Sequence, residues 1–400
     1  MKEDFLEFIK NNAQADPNKL RLSVKKEEKN FDIEKAILQI ECRKKYSSKL
    51  KNFIGNDNFM FPDSISGEQA SHQGIGAYHS NLAAQCGSIL DMTAGLGIDS
   101  FSFAMKGRNV VSIELDPAKT KNLISNIEAL NFKNISVIQG DSIDFLKNNN
   151  IFFDLIFIDP SRRDKESRKV YNLKDCSPNV IEYQNLLLKH SDRVLIKASP
   201  LLDISQTIRD FPKLCSISAI GIKGECKEIL IELRNDLEKD TLITVNAINL
   251  DNSGEILSQF SDSLNRDFSQ KTKEKISYSS IDDLKEGSFI LEPSAMVMKL
   301  SFWGKICSDY NALKLGKSSH LFISKEYPKN FPGRVTKLIK NIKTQDRKSI
   351  CGLPASVVSK NHPLSPEEIR KKFQLKEGDQ NFIYATRLGD KPVFLLTQIV

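Results

Sequence analysis

Short apolar runs separated by helix-compatible stretches dominate the middle of the chain. SILDM, NVVSIEL, ISVIQG, FDLIFID and RVLIKAS, all between residues 88 and 199, are rich in Ile, Val, Leu and Phe. Runs of that length with a helical segment after each predict βαβ units and a parallel sheet buried on both faces. CSISAIGI and CKEILIEL, parted by a charged turn around Lys223-Gly224-Glu225, predict a terminal antiparallel pair added to that sheet. Asp116-Pro117 marks a helix start, with an N-cap carboxylate ahead of a first-turn proline.

The flanks have a different texture. Residues 1 to about 85 read as helical: Ile33, Ile37, Ile40 and Tyr46 recur near helical spacing among clustered Lys and Arg, giving a basic face that reads as solvated surface. A second helix is expected from Ser66 to about Ala84, with Glu68 in its first turn. After a charged break at Asn235–Asp240 come strand candidates LITVNAINL, SFILEP and GRVTKLIKNI and an apolar helix from Ser294 to about Cys307. A helix over 366–374 starts with the capping box Ser365/Glu368, and NFIYATRL and PVFLLTQIV form a closing hairpin around Gly389-Asp390.

A chain of 400 residues suggests two or three domains, and 40% hydrophobic with 27% charged residues excludes wholesale disorder. The net charge of +7 permits a polyanionic partner without demanding one. Seven scattered cysteines with no C-x-x-C predict reduced thiols and no metal site. The charged N-terminus lacks a secretory h-region, and no apolar run approaches the roughly 20 residues of a membrane span. A soluble, cytoplasmic protein is expected.

Chemistry concentrates where the strands end. The first closes on Asp91-Met-Thr-Ala-Gly95-Leu-Gly97-Ile-Asp99, whose glycines allow a sharp turn and close backbone approach to a ligand. Glu114 closes the second, about 20 residues on, where a carboxylate can accept both hydroxyls of a ribose. The third reaches Gly140-Asp141-Ser142 and the fourth Asp159-Pro160-Ser161-Arg162. Four successive strands thus deliver an acid to the edge where open α/β sheets bind ligands.

This pattern resembles the class I S-adenosylmethionine-dependent methyltransferases over roughly residues 87–235, with Thr93 standing where the first loop glycine usually is. The resemblance implies that Asp91, Thr93, Gly95 and Gly97 hold the methionine part of the cofactor, Glu114 its ribose, and Asp141 with Ser142 its adenine end. A dinucleotide-dependent dehydrogenase is disfavoured, because Asp91 and Asp99 repel a pyrophosphate and such domains lack the antiparallel final pair. Asp159-Pro160 sits where nucleic-acid amino methyltransferases carry D/N-P-P-Y/F. The resemblance implies that Asp159 and the Pro160 carbonyl orient an exocyclic NH2, which is catalysis by positioning. The second proline and the aromatic are absent, leaving Tyr78, Tyr171 or Tyr183 to stack on a flipped base. Arg162, Arg163, Arg168 and Lys169 follow at the expected mouth, where guanidinium groups suit phosphate.

A closer resemblance spans nearly the whole chain. D-x-T-A-G-L-G-x-D, D-P-S-R-R-D, G-E-C-K-E (224–228), L-E-P-S-A (291–295), F-P-G-R (331–334) and N-H-P-L-S (361–365), with Glu68-Gln69-Ala70-Ser71 ahead of them, are similar to a bacterial family of RNA methyltransferases. That family implies a helical region (1–86), a seven-stranded Rossmann-like α/β core (87–235), a small ferredoxin-like α+β region (241–330) and a THUMP-like domain (331–400). It also implies RNA, tRNA or rRNA, as substrate, with Arg334, Lys337, Lys340 and Lys343 as candidate contacts on a strand edge. The expected activity is methylation of a base amino nitrogen with S-adenosylmethionine as cofactor. The alternatives are a methyltransferase acting on a protein or small molecule, or a protein that binds cofactor or RNA without turnover. The five histidines show no catalytic spacing and read as structural. Cys226, expected just before an edge strand, reads as a packed thiol.

Overall fold

A computed structural model describes residues 2–23, 30–161, 172–238, 241–266 and 276–400. The chain forms two compact units, residues 1–217, 228–241 and 250–257, and residues 218–227, 242–249 and 258–400.

The first unit begins with helices α1 (Lys2–Asn11), α2 (Pro17–Ser23), α3 (Ile33–Lys45), α4 (Lys51–Ile54), α5 (Ser64–Gln69) and α6 (Gln73–Leu82). The single helix expected from Ser66 to Ala84 is therefore two. Asp63 caps α5 through the Ser66 N–H and His72 caps α6 through the Gly74 N–H. Ala70 and His72 are extended, so the chain breaks at Ser71, and Glu68 sits near the end of a helix instead of in its first turn. The alternating core follows: β1 (Ser88–Asp91), α7 (Ile98–Met105), β2 (Asn109–Glu114), α8 (Pro117–Ala129), β3 (Ile135–Gln139), α9 (Ser142–Asn148), β4 (Leu155–Ile158), α10 (Val180–His190), β5 (Arg193–Ala198), α11 (Ile204–Asp210), β6 (Leu214–Ile222, up to Ile217) and β7 (Glu225–Arg234, from Glu228).

These strands lie in the order β3-β2-β1-β4-β5-β7-β6, and the sheet continues past β6 with the strands at 243–250 and 256–264, giving nine strands where seven were expected. β1 to β5 pair in parallel, while β7 runs antiparallel to β5, as the sequence led us to expect. β7 is thus an interior strand, and Cys226 lies within it, not before an edge. Every residue of β4 is buried, the pattern of a strand covered on both faces. Asp116 caps α8 by accepting from the Ala118 and Lys119 N–H groups.

The early helices build the floor of the sheet's carboxyl edge. Tyr46, Leu50, Phe53, Phe59 and Phe61 pack with Ala94, Leu96, Ile98 and Phe101 of the glycine loop and α7 in one apolar cluster. α6 lies close against α7, because Gly76 has no side chain: a Cβ there would come within 2.5 Å of Ser102 Oγ.

The second unit contains β8 (Ile243–Leu250, up to Asn249), the greater part of β9 (Ile256–Leu264), β10 (Phe289–Pro293), α12 (Ala295–Leu300), α13 (Trp303–Asp309), β11 (Leu313–Lys314), β12 (Phe322–Ser324), β13 (Gly333–Ile342), α14 (Arg347–Ile350), β14 (Ser356–Ser359), α15 (Pro366–Phe373), β15 (Asn381–Leu388) and β16 (Lys391–Ile399). The apolar helix expected over 294–307 is two, interrupted where Ser301 adopts a left-handed φ of 56°. The capping box of α15 forms through Ser365 and Glu368. β10 to β16 make one sheet in the order β11-β12-β10-β13-β16-β15-β14. β13 lies between β10 and β16, so the basic residues on it do not occupy an edge strand. No helix among the described residues is long and apolar enough to cross a membrane.

Candidate active site

Where β1 and β4 diverge from the order of the chain, the carboxyl edge of the sheet opens a cavity of about 850 Å³. Its lining includes all four strand-end acids, Asp91, Glu114, Asp141 and Asp159, with Thr93, Gly95, Gly97, Ser142 and Pro160. This is the crevice an open α/β sheet forms at its topological switch point.

The glycine loop is held by its own side chains and those of its neighbours. Asp91 accepts from the Thr93 N–H at 3.2 Å and from the Ser100 hydroxyl at 2.5 Å. Glu114 accepts from the Gly95 N–H and the Asp116 N–H, both at 2.9 Å, so it braces the loop as well as facing the cavity. Asp141 caps α9 by accepting from Ile143 and Asp144 N–H. Gly97 turns the chain into α7 at φ 92°, where an added Cβ would strike Leu123 and Phe101. The threonine that replaces a glycine has a partner of its own: Thr93 Oγ1 accepts from the Asp159 N–H at 2.7 Å.

From the cavity wall, which Ser71, Asp99 and Asp159 line, a buried polar chain runs inward through Lys197, His79 and Glu228, and sequence reasoning did not assemble it. Lys197 Nζ lies 2.5 Å from Asp159 Oδ2 and 2.9 Å from Ser71 Oγ. The Ser71 hydroxyl donates to Asp99 Oδ2, and Asp99 Oδ1 is 2.8 Å from His79 Nδ1. His79 Nε2 is 2.7 Å from Glu228 Oε1. Ser71 comes from the break between α5 and α6, His79 from α6, Asp99 from α7, Lys197 from β5 and Glu228 from β7.

Burial opposes the charge on His79, but Glu228 and Asp99 outweigh it and push the imidazole up to about 10. Lys197 behaves alike: burial disfavours its ammonium, and Asp159, Asp99 and Glu228 reverse the balance. Asp99 is held below the usual carboxylate range, the penalty of burial being overcome by His79, Lys197 and Ser71. Asp91 goes the other way. Burial, with the charges of Asp99 and Asp159, pushes it up to about 7 against the opposing Ser100 and Thr93 hydrogen bonds. Of the two acids expected to repel a pyrophosphate, Asp99 lines the cavity but is ion-paired to His79.

His79 is more than a packed histidine, since it carries charge between two buried acids. Its signal in the sequence was an imidazole in a helix with no Asp, Glu, Lys or Arg, and that of Lys197 a cation within the otherwise apolar run Val194 to Ala198. Tyr78 is buried near Glu228 and Glu232, and Tyr183 lies beneath the Lys147 ammonium at 5.2 Å. Neither lines the cavity, and none of its described lining is aromatic. Tyr171, Arg162, Arg163, Arg168 and Lys169 lie outside the described residues.

In the second unit Arg334 is not an isolated cation. It pairs with Glu292 at 3.2 Å and covers the Phe382 ring at 4.6 Å. Glu292 also meets Lys360 at 3.3 Å and accepts from the Tyr384 hydroxyl at 3.0 Å. Lys340 pairs with Asp346 at 2.8 Å, whereas Lys337 is exposed on β13. No group of three or more His, Cys, Asp or Glu among the described residues is disposed to hold a metal.

Residues 86–234 match a family model described as RNA cap guanine-N2 methyltransferase, residues 289–332 a ferredoxin-like domain and residues 334–398 a THUMP domain-like model. The sheet and its cavity lie within the stretch that matches a methyltransferase model. The chain is 30% identical over 96 residues to an uncharacterized RNA methyltransferase of Mycoplasma mobile, covering 24% of this chain and 26% of that one. It is 34% identical over 116 residues to ribosomal RNA small subunit methyltransferase J of Francisella philomiragia, covering 26% of this chain and 48% of the relative. The chain thus spans about half or less of the length of these curated relatives. Its whole fold is similar to a solved structure from Porphyromonas gingivalis W83 assigned to the methyltransferases, with a TM-score of 0.84 at 24% identity, covering 99% of this chain and 98% of that one.

Proposed function

We propose that this protein transfers a methyl group from S-adenosylmethionine to a base amino nitrogen of RNA. The observation that carries the reading is that Asp159-Pro160 faces the same cavity as Asp91, Glu114 and Asp141. Donor-binding acids and an amine-orienting motif meet in one space of the size that holds small cofactors.

The residues present fit that cofactor. Gly140, at φ 152°, lines the cavity, and a Cβ built there meets nothing within 4 Å, so the backbone leaves open room beside Asp141. The donor set is acidic, which suits a cationic ligand and opposes a phosphate-bearing one. Glu114 would hold the ribose hydroxyls, Asp141 and Ser142 the adenine end, and the Asp91–Gly97 loop the methionine part. When bound, S-adenosylmethionine supplies an electrophilic methyl carbon, whose bond to sulfur breaks with its electron pair leaving on sulfur as the acceptor nitrogen's lone pair forms the new C–N bond.

The chain's own residues then have modest tasks. Asp159 and the Pro160 carbonyl accept from the exocyclic NH2, aim its lone pair and hold it near attack distance, roughly 3–3.5 Å. The methylated nitrogen sheds its extra proton to water, so no dedicated base is required. RNA as acceptor is supported by the RNA-modifying relatives, by the guanine-N2 family match over 86–234 and by the THUMP-like match over 334–398. Residues 241–330 and 331–400 would place the RNA, with Lys337 as an exposed phosphate contact. Mass spectrometry of nucleosides from tRNA and rRNA of a strain lacking the protein should show one methylated base missing, restored by the purified enzyme. Loss of no modification, with no transfer in vitro, rejects the reading.

A further inference from the structure

Asp159 has two oxygens, and the structure commits one of them. Lys197 is only 5% exposed on a strand otherwise apolar from Val194 to Ala198, and its Nζ is 2.5 Å from Asp159 Oδ2. An ammonium donates and never accepts, so Oδ2 is fixed as its acceptor. Lys197 is itself held. Ser71 Oγ gives its proton to Asp99 and so accepts from Nζ at 2.9 Å, and Asp99 is anchored by His79 and Glu228. The carboxylate that faces the cavity is thus gripped at Oδ2 by a chain of polar and charged groups reaching to β7.

We propose that Lys197 is a positioning residue for methyl transfer: it orients the Asp159 carboxylate, reserves Oδ1 for the acceptor amine, and requires this position to be Asp instead of Asn. The inference rests on the function proposed above. An Asn side chain can supply the oxygen an amine needs, but here its amide has a cation behind it. Turning N–H donors toward an ammonium is repulsive, so the amide oxygen swings to Lys197 and the NH2 faces the acceptor amine, donor against donor. Without the ammonium the amide is free to turn its oxygen outward.

The test measures methyl transfer from S-adenosylmethionine to total RNA of a strain lacking the protein, using the full chain and its D159N, K197M and K197M/D159N variants. The affinity of each for S-adenosylhomocysteine is measured by calorimetry. D159N should lose about 100-fold in kcat, the scale of a misplaced reacting group. K197M/D159N should recover about tenfold over D159N, with S-adenosylhomocysteine affinity within about threefold of wild type throughout. The double variant removes one charge of each sign and so keeps the balance of the buried chain, which leaves the comparison intact even where K197M alone fails to fold. A folded double variant no faster than D159N overturns the inference, as does loss of S-adenosylhomocysteine affinity on removing Lys197. Wild-type protein that methylates no RNA rejects the underlying reading first, and this inference with it.

Discussion

The side-chain oxygen of Thr93 accepts a hydrogen bond from the backbone N–H of Asp159 at 2.7 Å. The residue that departs from the glycine pattern of the first loop thereby ties that loop to the end of β4. A glycine could not make the bond, so the departure has a physical role: it fixes the donor-side loop against the acceptor-side motif. Thr93→Val keeps the shape and leaves the Asp159 N–H without its partner, at a cost of about 1–3 kcal/mol. Its kcat should fall more than its affinity for S-adenosylhomocysteine, and Thr93→Ser should restore both thermal stability and rate.

Glu114 braces Gly95 and Asp116 while facing the cavity. Glu114→Ala should weaken S-adenosylhomocysteine binding about tenfold or more, since charge-assisted hydrogen bonds contribute roughly 1.5–3 kcal/mol. kcat at saturating cofactor should change far less. Asp159→Ala should give the opposite pattern, abolishing transfer while calorimetry still shows cofactor binding.

Asp91 gives the site a pH dependence near neutrality. Its carboxyl is pushed up to about 7, so protonation below that pH removes a negative charge from the wall that would face a cation. A cationic ligand favours the ionised form, and its affinity should fall by up to about tenfold per unit as pH drops below 7. S-adenosylhomocysteine lacks the sulfonium charge and should show a shallower profile. Asp91→Asn should flatten the difference between the two ligands in calorimetric titrations from pH 5.5 to 8.5.

His79 governs stability. Its folded pKa is raised to about 10, so its contribution is complete below the unfolded value of about 6.5 and is lost as pH climbs through 10. The wild-type Tm should decline over that window. His79→Ala, which strands Asp99 and Glu228 as buried charges, should cost about 3–5 kcal/mol and be read directly in denaturant titrations.

The basic residues of β13 divide by their partners. Lys337→Ala should lower RNA affinity and reduce the slope of log K against log salt by about one. Arg334→Ala should act mainly on stability, because it breaks the cluster that joins Glu292, Lys360 and Tyr384 beside Phe382. Filter binding across a salt series and thermal unfolding separate the two effects.

The sheet and its ring of acids were legible because they follow local rules. Apolar runs of strand length, a turn at Gly95 and Gly97 and an acid at each strand end are all contiguous in sequence. The polar chain behind them was not, because Ser71, His79, Asp99, Lys197 and Glu228 are brought together only by the folded topology. No spacing rule connects an α6 imidazole with a β7 carboxylate. The helix breaks at Ser71 and Ser301 were missed for a related reason: helical periodicity continues across both, and only cap and left-handed backbone geometry interrupts it. Of the aromatic candidates, Tyr78 is buried and Tyr183 lies beneath Lys147, so neither lines the cavity, while Tyr171 lies outside the described residues.

Ser71, at the break between α5 and α6, and His79, in α6, reach the sheet from the region that precedes its first strand, and this ties the core to that region. Excising residues 87–235 as a stand-alone catalyst, or grafting them behind a different leader, would strip a hydroxyl and an imidazolium from two interior carboxylates.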